Sequence, residues 1–474
     1  MPTVFDLKSI RRFLRDPDDS STELRSWGIV DTRRGQANIA ALVRHGIPED
    51  LMASIATQLS RLLPETSDPG MALNNLERYV AASRSPLSLG ALFDRDRTAL
   101  PILLRLFSSS QHLSDLLVRE PEGYDLLRMT EGRPVARQAL IEEITAEVRR
   151  LSDERHVMAA IRRFKHRETL RIAYGDLVGR QRLDVVARQI SYLADALVEA
   201  AVQSAMARRA ERWGHPYRRD GQPARLAILG LGKLGGNELN YSSDIDLIPF
   251  YDQEGETRGG TRSVSNREFF ARVVGDLVKL LGDVTELGAA YRVDLRLRPE
   301  GSAGPVVRSL GSMLHYYDTA GRTWERQAFV KARGVAGDEG LARELLDPLQ
   351  TWIYQRYLSR ADISGIKALK RRIEVRAASA GHLDANHLTN VGSRHRPPRD
   401  VKSGLGGIRD IEFCIQFLQL LNGGDLPAIR VGTTLDAISA LAKVGGLTLQ
   451  EATLLQQNYE FLRHVEHRLQ IMFD

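Results

Sequence analysis

At 474 residues, 43% of them hydrophobic and 27% charged, the chain is long for one core and points to two to four domains. No run approaches the about 18 apolar residues of a membrane-spanning helix, and Met1 to Asp6 lack a basic-then-apolar leader, so a cytoplasmic protein without a membrane partner is expected. The net charge of +6 is spread among alternating bases and acids, as in Asp94-Arg95-Asp96-Arg97, and forms no basic stripe, which argues against a nucleic-acid partner. The single cysteine, Cys414, excludes an internal disulfide and, in a largely apolar stretch, reads as a buried, inert thiol.

Up to about residue 220 the pattern is helical. Residues 99–107 open with a helix-compatible proline and run apolar, and 111–119 repeat apolar residues at helical spacing. Residues 137–154 and 180–213 are longer amphipathic stretches, and all of these are expected to form a helical layer. Scattered histidines such as His156 and His166 lack ligand spacing and read as structural or exposed. Residues 214–223, polar and broken by Pro and Gly, mark a boundary. There follow a strand (225–230), a glycine loop, a strand (243–251), a glycine-rich loop (255–260), a helix (266–281) and a strand (291–298), an α/β core ending near Gly337. From 341 to 474 helices return, interrupted by a loop at 393–400.

The chemistry concentrates in this core. Asp244 and Asp246, spaced i and i+2 in an apolar run, fall on one face of a strand. Exposed acids spoil β-propensity, so the pair asks for a compensating cation, and Mg2+ is usually held by carboxylates and substrate phosphates. In 291–298 the residues alternate, with Arg292, Asp294, Arg296 and Arg298 on the polar face; if the strands are neighbours, Asp294 becomes a third acid beside the pair. Three such charges repel and raise one another's pKa unless a divalent metal neutralises them.

Ahead of the acids, Gly230-Leu231-Gly232-Lys233-Leu234-Gly235 matches a dinucleotide-binding pattern, but only about seven residues separate Gly236 from Asp244 where that fold needs roughly 20. A P-loop fails too, since Leu234 follows Lys233 in place of Ser or Thr. What remains is a backbone loop able to approach phosphate through Gly235 and Gly236, with Lys233 either a movable positive charge or a solvent-facing lysine. Residues 403–412 resemble a glycine loop opening a helix, with Arg409, Glu412 and Gln416 on one face; an anion site and a close helix contact both fit.

Taken together, Gly230 to Asn240, Ser242-Ser243-Asp244-Ile245-Asp246-Leu247-Ile248, Asp294-Leu295-Arg296-Leu297-Arg298-Pro299, Trp324-Glu325-Arg326, Val330-Lys331-Ala332-Arg333 and Gly406-Gly407-Ile408-Arg409 resemble the bifunctional glutamine synthetase adenylyltransferase/adenylyl-removing enzymes. The resemblance implies an α+β, mostly helical fold: a DNA-polymerase-β-like nucleotidyltransferase core at 223–337, a small mixed sheet with helices, between helical regions at 1–222 and 338–474. It implies the N-terminal, adenylyl-removing module of a longer protein, which cleaves adenylyl-tyrosine on glutamine synthetase with phosphate to give ADP. Asp244, Asp246 and Asp294 are then the catalytic residues and Mg2+ ligands. Lys233, Gly235, Gly236, Ser243, Arg296, Arg298, Lys331 and Arg333 are the candidates for phosphate and nucleotide. The PII signal protein and glutamine are implied as effectors. Two rivals remain at this stage: a forward, ATP-dependent adenylyltransferase, and a non-catalytic module that docks glutamine synthetase and PII.

Overall fold

A computed structural model describes residues 3–15, 17–356, 364, 401–402 and 404–473. The loop expected at 393–400 lies outside them. The chain forms two compact units, one of residues 1–134, 166–182 and 468–474, the other of 135–165 and 183–467. Packing therefore groups residues 226–337, which carry the strands of the main sheet, with helices from both sides of them in sequence.

The first unit is helical. It contains α1 (Leu7–Arg15), α2 (Pro17–Ser26), α3 (Thr32–Arg44), α4 (Glu49–Leu62), α5 (Pro69–Ala82), α6 (Pro86–Arg95), α7 (Ala99–Ser109), α8 (Gln111–Arg119) and α9 (Gly123–Thr130). Serine and aspartate side chains start several of these helices. Asp31, Asp68, Ser85 and Ser110 each accept a backbone N–H from three residues on, meeting one of the donors that a helix start leaves open. Helix α8 matches the span read from its apolar spacing.

α10 (Arg137–Val148), in the second unit, and α11 (Glu154–Leu177), of which residues 154–165 belong to the second unit and 166–177 to the first, replace the single stretch expected at 137–154. The break is set by Asp153, whose carboxylate accepts the N–H groups of Arg155 at 2.7 Å and His156 at 3.3 Å and so starts a new helix. After α12 (Leu183–Trp213) comes β1 (Gly214–Arg218), which pairs antiparallel with β4 (Gly255–Gly259). Both segments read as loops from their glycines. Yet a Cβ on Gly214 would lie 1.9 Å from the Arg258 oxygen and one on Gly255 2.0 Å from the Tyr217 oxygen, so here glycine permits close strand approach.

The main sheet is built from β2 (Leu226–Gly230), β3 (Ile245–Tyr251), β5 (Val293–Asp294), β6 (Arg308–Ser309) and β7 (Arg333–Gly337), in the order β5-β3-β2-β7 with β6 also on β3. β2 is antiparallel to β3 and β7, while β3 runs parallel to β5 and β6. Between β2 and β3 lies the short helix α13 (Gly232–Gly235). Helix α14 (Asn266–Gly282) is capped by Ser265 and buries Phe269, Phe270, Val273, Val274 and Leu277. Helices α15 (Leu310–Thr319), α16 (Thr323–Phe329) and α17 (Glu339–Ile353) share a core with Ala227, Leu229, Ile248 and Phe250 of the sheet. A second cluster joins α18 (Ile408–Asn422), α19 (Thr434–Lys443) and α20 (Leu449–Phe473) through Ile411, Ile415, Ile438 and Tyr459.

Two expectations are corrected. The strand expected over 291–298 is only the two residues of β5, because the Asp294 carboxylate accepts the backbone N–H of Arg296 at 2.8 Å and turns the chain out of the sheet. Cys414 is exposed, since the buried stripe of α18 runs through Ile408, Ile411 and Ile415 and leaves position 414 off it.

Candidate active site

Within β3 every residue is buried except Asp246. The neighbouring strand supplies the partner that the sequence anticipated: in the parallel pairing Ile245 stands beside Val293 and Asp246 beside Asp294, and the Ile245 N–H donates to the Arg292 oxygen at 3.0 Å. Asp244, two residues before Asp246, precedes the strand. The glycine turn closes over Asp246 from the other side. The Leu231 N–H donates to the Asp246 backbone oxygen at 3.0 Å. Gly232 has φ +55°, and a Cβ there would stand 2.6 Å from Asp246 Oδ2, so only glycine brings the turn this close.

The three carboxylates are not equivalent. Asp294 is bound by the Arg296 guanidinium at 2.5 to 3.0 Å, and that hydrogen bond holds its pKa below the usual carboxylate value. Asp244 is paired with Arg292. Asp246 has no such cation to itself; burial first, then the charges of Asp294 and Asp244, push it up to about 6. Two acids sharing one site divide in this way when one keeps the counter-ion. Arg296 and Lys402 act in the opposite direction on Asp246. Lys402 lies in the segment leading into α18, so that helix's approach overlooks the acids.

Arg292, paired with Asp244, and Lys402, acting on Asp246, are the neighbours of the acids that sequence reasoning missed. Arg292 stood on the polar face of the second strand, and its place beside Asp244 follows from the same alternation. Lys402 had no signal, because its relation to Asp246 depends on tertiary packing.

The remaining predicted contacts have partners within the protein. The Gly235 and Gly236 N–H groups donate to the Leu231 and Gly232 oxygens at 2.9 and 3.1 Å, within the turn and not toward a ligand. Lys233 Nζ donates to Glu466 at 2.8 and 2.9 Å. Lys331 Nζ, buried, is bound by Glu238 at 2.6 Å. Arg333 bonds the fully buried Asp195 of α12 at 2.6 and 3.0 Å, joining β7 to that helix. Arg298 folds back on the oxygens of Leu295, Gly304 and Pro305 at 2.7, 3.2 and 3.2 Å and braces the turn after β5. Ser243 Oγ accepts the Asn240 N–H at 3.2 Å. The structure thus brings Asp244, Asp246, Asp294 and Arg296 to neighbouring strand positions, with Ser243 adjacent, and pairs the other cations within the protein.

The donor chemistry fits a hard divalent cation, since three carboxylates from β3, its approach and β5 offer only oxygen. As they stand among the described residues, no three acid, histidine or cysteine side chains gather to hold one. Two of the three carboxylates point instead to Arg292 and Arg296, whose side chains are 80% and 79% exposed and can swing into solvent at little cost.

An Asp-x-Asp strand behind a glycine turn, with a third acid from the adjoining parallel strand in a small mixed sheet, defines a nucleotidyltransferase. Comparison with known proteins narrows the class. A family model described as glutamate-ammonia ligase adenylyltransferase matches residues 100–347, and the chain belongs to that family. A second model, described as GlnD PII-uridylyltransferase, matches residues 367–474. The chain is 38% identical over 374 residues to the bifunctional glutamine synthetase adenylyltransferase/adenylyl-removing enzyme of Shewanella loihica, covering 78% of this chain and 37% of that one. The corresponding enzyme of Pseudomonas aeruginosa is 35% identical over 428 residues, covering 89% and 41%. That of Nitrosococcus oceani is 38% identical over 335 residues, covering 70% and 33%. The chain therefore spans well under half the length of these relatives. Among the described residues no helix is long and apolar enough to cross a membrane.

Proposed function

We propose that this chain removes AMP from a tyrosine of glutamine synthetase by phosphorolysis. The observation that carries the reading is the pairing of Asp246 with Asp294 across two parallel strands, with Asp244 two residues away. The direction of reaction rests on the resemblance to the adenylyl-removing module. In the step proposed, an oxygen of inorganic phosphate forms a bond to the α-phosphorus of the adenylyl group while the bond from that phosphorus to the tyrosine oxygen breaks. The products are ADP and a phenolate that takes up a proton. Because a phenol titrates near pH 10, the leaving group needs no dedicated acid. Asp244, Asp246 and Asp294 would hold the divalent cation, proposed to be Mg2+, which when bound neutralises charge on the oxygens of the displacement. The attacking phosphate is an anion approaching an anion. Arg296 and Arg292, once released from the acids, and Lys402 would receive it, with arginine suited to a two-pronged grip.

The forward reaction, ATP-dependent adenylylation, uses the same acids and is the second reading, favoured by the description of the matching family model. Glutamine synthetase is the proposed protein substrate in both. The match of residues 367–474 to a PII-uridylyltransferase model supports PII as a proposed regulatory partner, with glutamine as effector. The deciding experiment incubates the chain with adenylylated glutamine synthetase, Mg2+ and phosphate. Phosphate-dependent release of ADP is expected. Release of AMP, or labelling of unmodified glutamine synthetase from ATP without ADP formation from the adduct, would overturn the reading.

A further inference from the structure

The glycine turn that closes over Asp246 is gripped on its far side by a buried ionic network from α18, α19 and α20. Lys233 is held by both oxygens of Glu466, with side-chain exposures of 17% and 8%. Glu238, at the end of the turn, accepts from Lys331 Nζ and from the backbone N–H and hydroxyl of Thr434. Arg463, 1% exposed, donates to the Glu238 backbone oxygen at 2.6 Å and to the Asn240 side chain. Glu412, 3.6 Å from Lys331, completes a set of three cations and three anions. Such a group is matched in charge, and removing one member leaves another buried and uncompensated.

One donor in the network is spare. Arg463 Nε is buried without a hydrogen-bond partner and lies 3.5 Å from Glu466 Oε2, so Glu466 stands between two cations, one on the turn and one on its own helix. The turn lies between network and acid. Its internal hydrogen bonds run from Gly235 to Leu231 and from Gly236 to Gly232, and Gly232 abuts Asp246.

We infer that Glu466 and Arg463 are positioning residues of the acid site, acting through Lys233 and Asn240 to press the glycine turn against Asp246. Lys233 serves this grip and not the phosphate. The inference rests on the reading of the three aspartates as the reaction centre, but its first test does not. In E466Q the side chain keeps its shape and loses its charge, so the turn loosens. Amide hydrogen exchange at Gly235 and Gly236 in the metal-free chain should then accelerate about tenfold, the effect of weakening roughly one charge-assisted hydrogen bond. The Mg2+ concentration giving half-maximal phosphorolysis should rise about tenfold, as when a ligand's support is removed, with kcat largely restored at saturating Mg2+. A merely structural role would lower the active fraction and leave that midpoint in place. Unchanged exchange in the turn of folded E466Q overturns the inference whatever the activity. If E466Q does not fold, K233M tests the other end of the pair, with Glu466 left to Arg463 Nε, and the same exchange result decides. A wild-type chain that releases no ADP, whose turn nonetheless loosens in the variant, would refute the phosphorolytic reading and uphold the positioning role.

Discussion

Asp246 bears the electrostatic strain of the site, because the arginines beside it are committed to Asp244 and Asp294. Its carboxyl, pushed up to about 6 from an ordinary 3.8, binds a proton more tightly in the folded chain than in the unfolded one. Stability therefore falls as pH rises through the window from about 4 to 6, and the deficit persists above it. Asp246→Asn should remove this deficit. In the absence of metal the variant is expected to be more stable than wild type at pH 7.5, by up to about 3 kcal/mol, and the advantage should vanish near pH 4. Thermal unfolding at the two pH values checks it; a variant no more stable at pH 7.5 would show that Asp246 is already relieved of its neighbours' charge. The same substitution should abolish most phosphorolysis, so stability and activity would part company at a single oxygen-for-nitrogen exchange, as residues kept for chemistry commonly do.

The two-residue strand β5 delivers Asp294, yet its own pairing is too short to fix it. Support comes from α11. Arg162, fully buried, donates to the oxygens of Leu280 at 3.1 Å, Gly288 at 2.7 Å and Asp283, and Lys165 to that of Ala290 at 2.5 Å. These two cations satisfy the carbonyls at the end of α14 and along the connection into β5. Lys165 also lies over the Tyr291 ring at 4.6 Å. Arg162→Met should strand those acceptors and cost about 3 kcal/mol, read as a lower urea midpoint. A loss within about 0.5 kcal/mol would mean that β5 is held by other means. None of this was legible in the sequence, where Arg162 is one arginine in a helical run. The alternation of 291–298 was legible, and it put Asp294 on the right face. It could not reveal that Asp294 would take its own downstream N–H and end the strand, because an aspartate turn and a polar strand position share one residue pattern. The long apolar elements β2, β3 and α14 were readable because burial and periodicity agree in them. The glycine strands β1 and β4 were not, since glycine marks both loops and close backbone contact.

At the level of the whole chain, the sheet, the acids and the ionic network all belong to the unit of residues 135–165 and 183–467. The other unit contributes none of the three carboxylates. Ligand binding should therefore stabilise the two units unequally. A ligand at one hundred times its dissociation constant adds about 2.7 kcal/mol to the state that binds it, and hydrogen exchange reports such a gain amide by amide. With Mg2+ and ADP at that level, slowly exchanging amides of β2, β3 and α14 should slow by roughly a hundredfold. Amides of α4, α5 and α7, in the first unit, should keep their rates unless opening of that unit is coupled to the second. Equal slowing in both would show that the chain opens only as a whole, with one cooperative transition in place of two. Slowing confined to the first unit would put the nucleotide site somewhere other than beside Asp246 and Asp294. The unequal outcome is the one that the layout predicts, because every group assigned to cation, phosphate or glycine turn is built from elements of one unit.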